Sequence, residues 1–159
     1  VRRDPRLAGA FEDDPAAGLA DADRMAHPDA DGRWPDFDLW HPWAIDPDQA
    51  LDMAMACETA GRDADARIAN SDGASVSTGQ SIGVYANSHG FVGAERDTQH
   101  SISCSLIAGQ GEDMQGQYWY SFGVCADDLE DPEAIGRRAA ERCRRTRGAG
   151  RGSAAREKK

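Results

Sequence analysis

The sequence predicts an α+β domain: an antiparallel β-meander of about four strands flanked by two helices. Three observations predict it. Helical spacing with its own start signals occupies residues 46–61, a period of two replaces it between about Ala66 and Ala126, and a second helical signal follows at 131–143. An extended arm precedes these elements at 1–43, the domain proper covers 44–143, and a disordered basic tail is expected at 144–159.

The arm is rich in Asp, Pro, Ala and Gly and lacks sustained periodicity, which favours coil. Its end, "RWPDFDLWHPW", is different, with Trp34, Phe37, Trp40 and Trp43 within ten residues. Rings of this size bury large apolar areas, so they dock, either on this chain's own domain or on a peptide or partner.

The first helix is announced by Asp46 as N-cap, Pro47 at the first helical position and Gln49 at capping-box spacing. Ala50, Met53, Ala54, Cys57 and Ala60 recur at helical spacing, a narrow face of small residues suited to lying close on a sheet, and Gly61 occupies the expected C-terminal cap. The strand region follows as "ARIAN", "ASVSTG", "SIGVYAN", "FVGAERDTQHSISCSLIAG" and "MQGQYWYSFGV". Ile82, Val84 and Ala86 alternate, as do Ile102, Cys104 and Leu106, which suits half-buried antiparallel strands. The second helix is capped by Asp131 and opened by Pro132, with Ile135, Ala139 and Cys143 along one side.

A four-letter pattern, N-S-x-G, occurs twice, as Asn70-Ser71-Asp72-Gly73 and Asn87-Ser88-His89-Gly90. Asn and Gly tolerate positive φ, so both units read as turns, with Asn70, Gly73, Asn87 and Gly90 as structural residues. A serine next to a histidine makes no nucleophile–base pair, because adjacent strand residues point to opposite faces. No H-E-x-x-H pair, phosphate loop or dinucleotide glycine signature occurs, so no catalytic, metal or cofactor-binding residue is assigned. Cys57, Cys104, Cys125 and Cys143 are widely spaced and read as reduced thiols, mostly buried.

The net charge of −10 is uneven. From Arg137 to Lys159 ten Lys/Arg face Glu141 and Glu157, a net of +8, which leaves −18 on the residues before them. An acidic body repels nucleic acid, whereas a basic end attracts phosphate without reading sequence. No stretch of about 18 apolar residues suggests a membrane span, and no leader is visible, which points to the cytoplasm.

The order of elements and the text that fills it resemble the TldD/PmbA metalloprotease family, in its PmbA (TldE) branch. The resemblance rests on "DDPAAGLAD", "DFDLWHPWAIDPDQAL", "DARIANSDGASVS", "YANSHGFVG", "DMQGQYWYSFG" and "DLEDPEAIGRRAAER", together spanning Asp13 to Arg142. It implies a cytoplasmic, non-catalytic subunit of a zinc-dependent complex that degrades small unfolded peptides. The implied partner is a TldD-like subunit that carries the H-E-x-x-x-H zinc helix, so no cofactor is expected in this chain. The text after Arg142 departs from the family, and with Val1 at the start this suggests a truncated, frameshifted or cut piece. Two alternatives stand beside this reading: a gyrase-modulator-type protein touching nucleic acid through its basic tail, and a truncated product without function.

Overall fold

The computed structural model describes residues 18–154, with the side chains of Asp113 and of 146–154 left aside. Two compact units emerge: one from residues 18–36 with Gly83–Glu95, the other from Phe37–Ile82 with residues 96–154. The larger unit holds both helices and most of the sheet.

Helix α1, Pro47–Asp63, starts as its sequence dictates. Asp46 Oδ1 accepts from Gln49 N at 2.8 Å, and Gln49 Oε1 accepts from Asp46 N at 3.1 Å, so each of two otherwise orphaned backbone donors is satisfied by the other residue's side chain. Its C-cap is Ala64 rather than Gly61, which lies inside the helix and is buried. The reason is tertiary: a Cβ at Gly61 would sit 2.7 Å from Leu106 Cδ1 and 2.9 Å from Gly136 O. Helix α2, Pro132–Ala154, is capped by Asp131, whose Oδ1 accepts from Ala134 N at 3.0 Å. Ile135, Ala139 and Cys143 are all fully buried, as their spacing requires.

The sheet has three strands in the order β1-β2-β3, namely β1 Ile68–Ala86, β2 Val92–Ala108 and β3 Gln115–Gly123. The expected count of about four is therefore corrected to three. Three short runs merge into the 19-residue β1 because Asn70–Gly73 does not turn the chain. Gly73 takes φ +102° within the strand, and Ser71 Oγ accepts from Gly73 N at 2.8 Å while donating to Ser105 O at 3.1 Å. A side-chain hydroxyl thus replaces a ladder bond, and pairing continues past the irregularity.

Antiparallel pairing of β2 with β3 sets Ser101 opposite Phe122, Ser103 opposite Tyr120 and Ser105 opposite Tyr118. Thr98, His100, Ile102, Cys104, Leu106 and Ala108 alternate inward and are buried. They meet Cys57, Ile135, Ala139, Ala140 and Cys143 from the helices in one core. Ile82 and Val84, expected to be half-buried, are instead 75% and 68% exposed. The expected disordered tail is also shortened: α2 runs on through Ala154, past Gly148, Gly150 and Gly152, which weaken a helix, with the Arg145–Glu141 pair one turn apart, 2.6 Å, supporting the preceding turn. The remainder of that tail, 155–159, and residues 1–17 of the arm lie outside the described residues.

Candidate functional site

In the smaller unit, the second N-S-x-G unit does close a turn. Asn87 Oδ1 accepts from His89 N at 3.1 Å and from Phe91 N at 3.2 Å, and Gly90 supplies φ +88°. Trp34 packs edge-on against Phe91 at 5.3 Å, and Tyr85 lies 5.8 Å from the same ring. His89 Nδ1 lies 3.1 Å from Ala20 O, and Asn87 Nδ2 donates to Met25 Sδ at 3.5 Å. These contacts border an open cavity of about 230 Å³ whose lining includes Met25, His27, Trp34, His89 and Phe91.

In the larger unit, the segment from Phe37 to Asp46 is stitched to β2. Thr98 Oγ1 accepts from His41 N at 3.0 Å and donates to Val124 O at 2.7 Å, with Leu39 O at 3.1 Å. His100 Nε2 donates to His41 O at 2.9 Å; a carbonyl only accepts, so Nε2 carries the proton and Nδ1 accepts from Thr78 Oγ1 at 2.9 Å. Trp43 meets the His100 ring edge-on at 5.5 Å, and Trp40 lies beneath the Arg96 guanidinium at 5.0 Å. Three of the four arm aromatics, Trp34, Trp40 and Trp43, therefore contact this chain's own side chains, while Phe37 stays 68% exposed.

The aromatic row that remains open is elsewhere. On β3, Trp119 and Ser121 turn inward, Trp119 lying beneath the Arg138 and Arg142 guanidinium groups at 5.4 and 5.5 Å. Tyr118, Tyr120 and Phe122 alternate outward, each more than half exposed, with the two tyrosine rings stacked at 6.2 Å. Beside them the outward residues of β2 are small: Ser101, Ser103 and Ser105. Ser103 Oγ bonds Ser75 Oγ at 2.9 Å, and Ser105 Oγ donates to Asp72 Oδ2 at 3.2 Å. As sequence, "YWYSF" predicts a strand and no more. Its signal was incomplete because both alternating faces of that segment carry aromatic rings, so periodicity alone did not say which face the helices cover.

The thiols offer no exposed nucleophile in the core. Cys57, Cys104 and Cys143 are buried and free, and Cys125 is partly exposed. Cys104 is pushed up by its hydrogen bond with Cys57 and by burial; that same bond holds Cys57 down, and burial pushes Cys143 up. Among the described residues no three His, Cys, Asp or Glu side chains gather where they could hold a metal ion. Among the same residues, no helix is long and apolar enough to cross a membrane.

The sequence matches a known family profile, the PmbA/TldA metallopeptidase central domain, over residues 40–147. The chain belongs to the PmbA/TldA family. It is 40% identical to the metalloprotease PmbA of Escherichia coli O157:H7 over 129 residues, which is 81% of this chain and 28% of that one. The PmbA homologue of Haemophilus influenzae is 38% identical over an equal span. The chain thus spans less than a third of the length of these PmbA relatives. Among solved structures, a Bacteroides thetaiotaomicron protein provisionally described as a modulator of DNA gyrase superposes with a TM-score of 0.68 at 30% identity. That superposition covers 85% of this chain and 30% of the other. A Thermotoga maritima protein with a similar description shares the fold, at TM-score 0.53 and 21% identity over 62% of this chain and 22% of its own.

Proposed function

We propose that this chain acts as the central domain of a PmbA-like, non-catalytic subunit in a zinc-dependent, cytoplasmic peptidase complex that takes small unfolded peptides. The observation that carries the reading is the match of residues 40–147 to the PmbA/TldA central domain, supported by 40% identity to a protein named as the metalloprotease PmbA. In this reading zinc and the cleavage step belong to a TldD-like partner. What this chain contributes is surface. Among the described residues β3 is an edge strand, and its outward row of Tyr118, Tyr120 and Phe122 offers apolar contact to an extended peptide whose backbone pairs with that edge.

The test is reconstitution. The purified chain is mixed with a TldD-like subunit and with fluorogenic unfolded peptides, with and without zinc. The expected outcome is co-elution with the partner, binding of peptide, and cleavage only when the partner is present. Zinc-dependent cleavage by this chain alone would sink the proposal, as would failure to bind either partner or peptide.

A further inference from the structure

We infer that the outer face of the sheet holds a cradle for an arginine side chain presented by an extended polypeptide; the inference rests on the peptide-binding reading above and gives it a ligand chemistry. The cradle lies across all three strands of the larger unit. Ser105 pairs directly with Tyr118 on one side and donates to Asp72 on the other, so Asp72, Ser105 and Tyr118 form a line perpendicular to the strands. An open cavity of about 350 Å³ covers this line, bordered by Asp72, Gly73, Ser75, Ser103, Ser105 and Tyr118. Strand spacing sets its two walls about 10 Å apart at the backbone, and the floor between them is small and hydroxylic.

Each wall favours a cation. A carboxylate has about four acceptor positions, and Ser105 takes one, leaving Asp72 able to receive a donor fork. Tyr118 is 59% exposed and offers a ring face that attracts positive charge. A planar guanidinium both forks to a carboxylate and stacks on a ring, which a compact ammonium does less well. Charge complementarity points the same way. Asp72 is the one charged residue that borders the cavity, and the one Lys or Arg on β1–β3, Arg96, is nine residues from Ser105 along β2 and lies over Trp40.

A polypeptide, rather than a free small cation, is indicated by the row that continues from Tyr118. Tyr120 and Phe122 follow at every second residue, a spacing of about 6.8 Å that alternate side chains of an extended peptide match. The first N-S-x-G unit thereby acquires a role: its strand irregularity at Gly73 lies beside the aspartate that forms the acidic wall.

Two linked measurements on the full chain test this. The first titrates the ¹⁵N-labelled protein with N-acetyl-arginine amide and with the citrulline counterpart, which is neutral and of similar shape. Shifts at Asp72, Ser105 and Tyr118 with the arginine probe, and binding weaker by about fivefold with citrulline, are expected. Asp72→Asn and Tyr118→Leu, both at exposed positions, should each weaken the arginine probe severalfold while leaving the remaining spectrum in place. Equal response to both probes, or none, overturns the cradle. The second measures fluorescence anisotropy of a labelled unfolded peptide carrying one arginine or one citrulline. Tighter binding of the arginine peptide, lost in Asp72→Asn, supports the inference. Equal binding of the two peptides overturns the cradle but leaves the peptide reading standing. Binding of the small probe with no peptide binding overturns the peptide reading and with it the polypeptide ligand. Self-association abolished by Asp72→Asn also overturns the inference, assigning the cradle to a second copy's arginine-rich helix.

Discussion

Replacing Gly136 by alanine tests the closest approach in the fold. Gly136 sits in the interior of α2, where alanine is intrinsically better than glycine by about 1 kcal/mol. Local propensity therefore predicts stabilisation. Packing predicts the opposite, because the new Cβ would lie 1.9 Å from Cys57 O, 2.9 Å from Gly61 N and 3.0 Å from Cys57 C, all of them backbone atoms of α1. No rotamer change relieves this, so the two helices must separate by an ångström or so. A gap of that size forfeits a quarter to a half of the dispersion energy at each contact it opens, and overpacking of this kind costs about 1–3 kcal/mol or somewhat more. The approach is to backbone atoms, which puts the cost at the upper end of that range; with the propensity gain subtracted, the net loss should be about 2 kcal/mol, and Tm should fall by about 8 °C at roughly 4 °C per kcal/mol. Urea and thermal unfolding followed by far-ultraviolet circular dichroism measure it. Gly116→Ala is the control, since its Cβ would meet nothing within 4 Å and φ there is not positive. A Gly136→Ala protein as stable as the parent would refute the glycine-to-glycine helix contact, and with it the explanation of why Gly61 is not a cap.

Thr98→Val should cost about 1–3 kcal/mol, because it removes the hydroxyl that joins His41 N to Val124 O and leaves buried backbone groups unpaired; urea midpoints will show it. The carboxyl of Asp65 is held well below the usual carboxylate range, first by the Arg67 side chain and then by the Arg67 backbone N–H. A depressed folded-state pKa stabilises above the unfolded value of about 3.9 and is lost as pH falls through the folded one. Asp65→Asn should therefore lower the urea midpoint slightly at pH 7 and shrink its drop between pH 7 and pH 3; an unchanged drop would contradict the pair. Titration of the native chain with a disulfide reagent should label Cys125 first, while Cys57, Cys104 and Cys143 react only on the unfolding timescale; four equally fast thiols would contradict the buried core.

Helix starts were legible because their chemistry is local. A capping box needs only residues 46–49, and a buried face needs only the spacing of Ile135, Ala139 and Cys143. Errors arose where a distant partner decides. Gly61 looks like a cap until Gly136 and Leu106 are placed beside it, 75 and 45 residues further along. By contrast, of the two dockings open to the rings at 34–43, the one on this chain's own domain holds for Trp40 and Trp43, which meet Arg96 and His100 on a strand far away in sequence. The open row on β3 is not legible in the sequence because Trp119 and its neighbours are aromatic on both faces, and only the placement of α2 over Trp119 decides which one is covered.

The two N-S-x-G units sharpen that point, since one pattern yields two conformations. At Asn87–Gly90 the turn is self-sufficient: the Asn87 carboxamide takes two backbone N–H groups within four residues. At Asn70–Gly73 the deciding partner is Ser105 O, 34 residues from Ser71, and it is in reach only once β2 has folded back. The serine hydroxyl should therefore matter in the first unit and not in the second. Ser71→Ala removes both the bond to Ser105 O and the acceptor for Gly73 N, and should cost about 1 kcal/mol or more. Ser88 is exposed at the tip of the turn, where substitutions usually stay within about 0.5 kcal/mol. Paired urea unfolding of Ser71→Ala and Ser88→Ala decides it. Equal midpoints would mean that the first unit is held by its own turn chemistry, and that the continuity of β1 through Gly73 has some other cause.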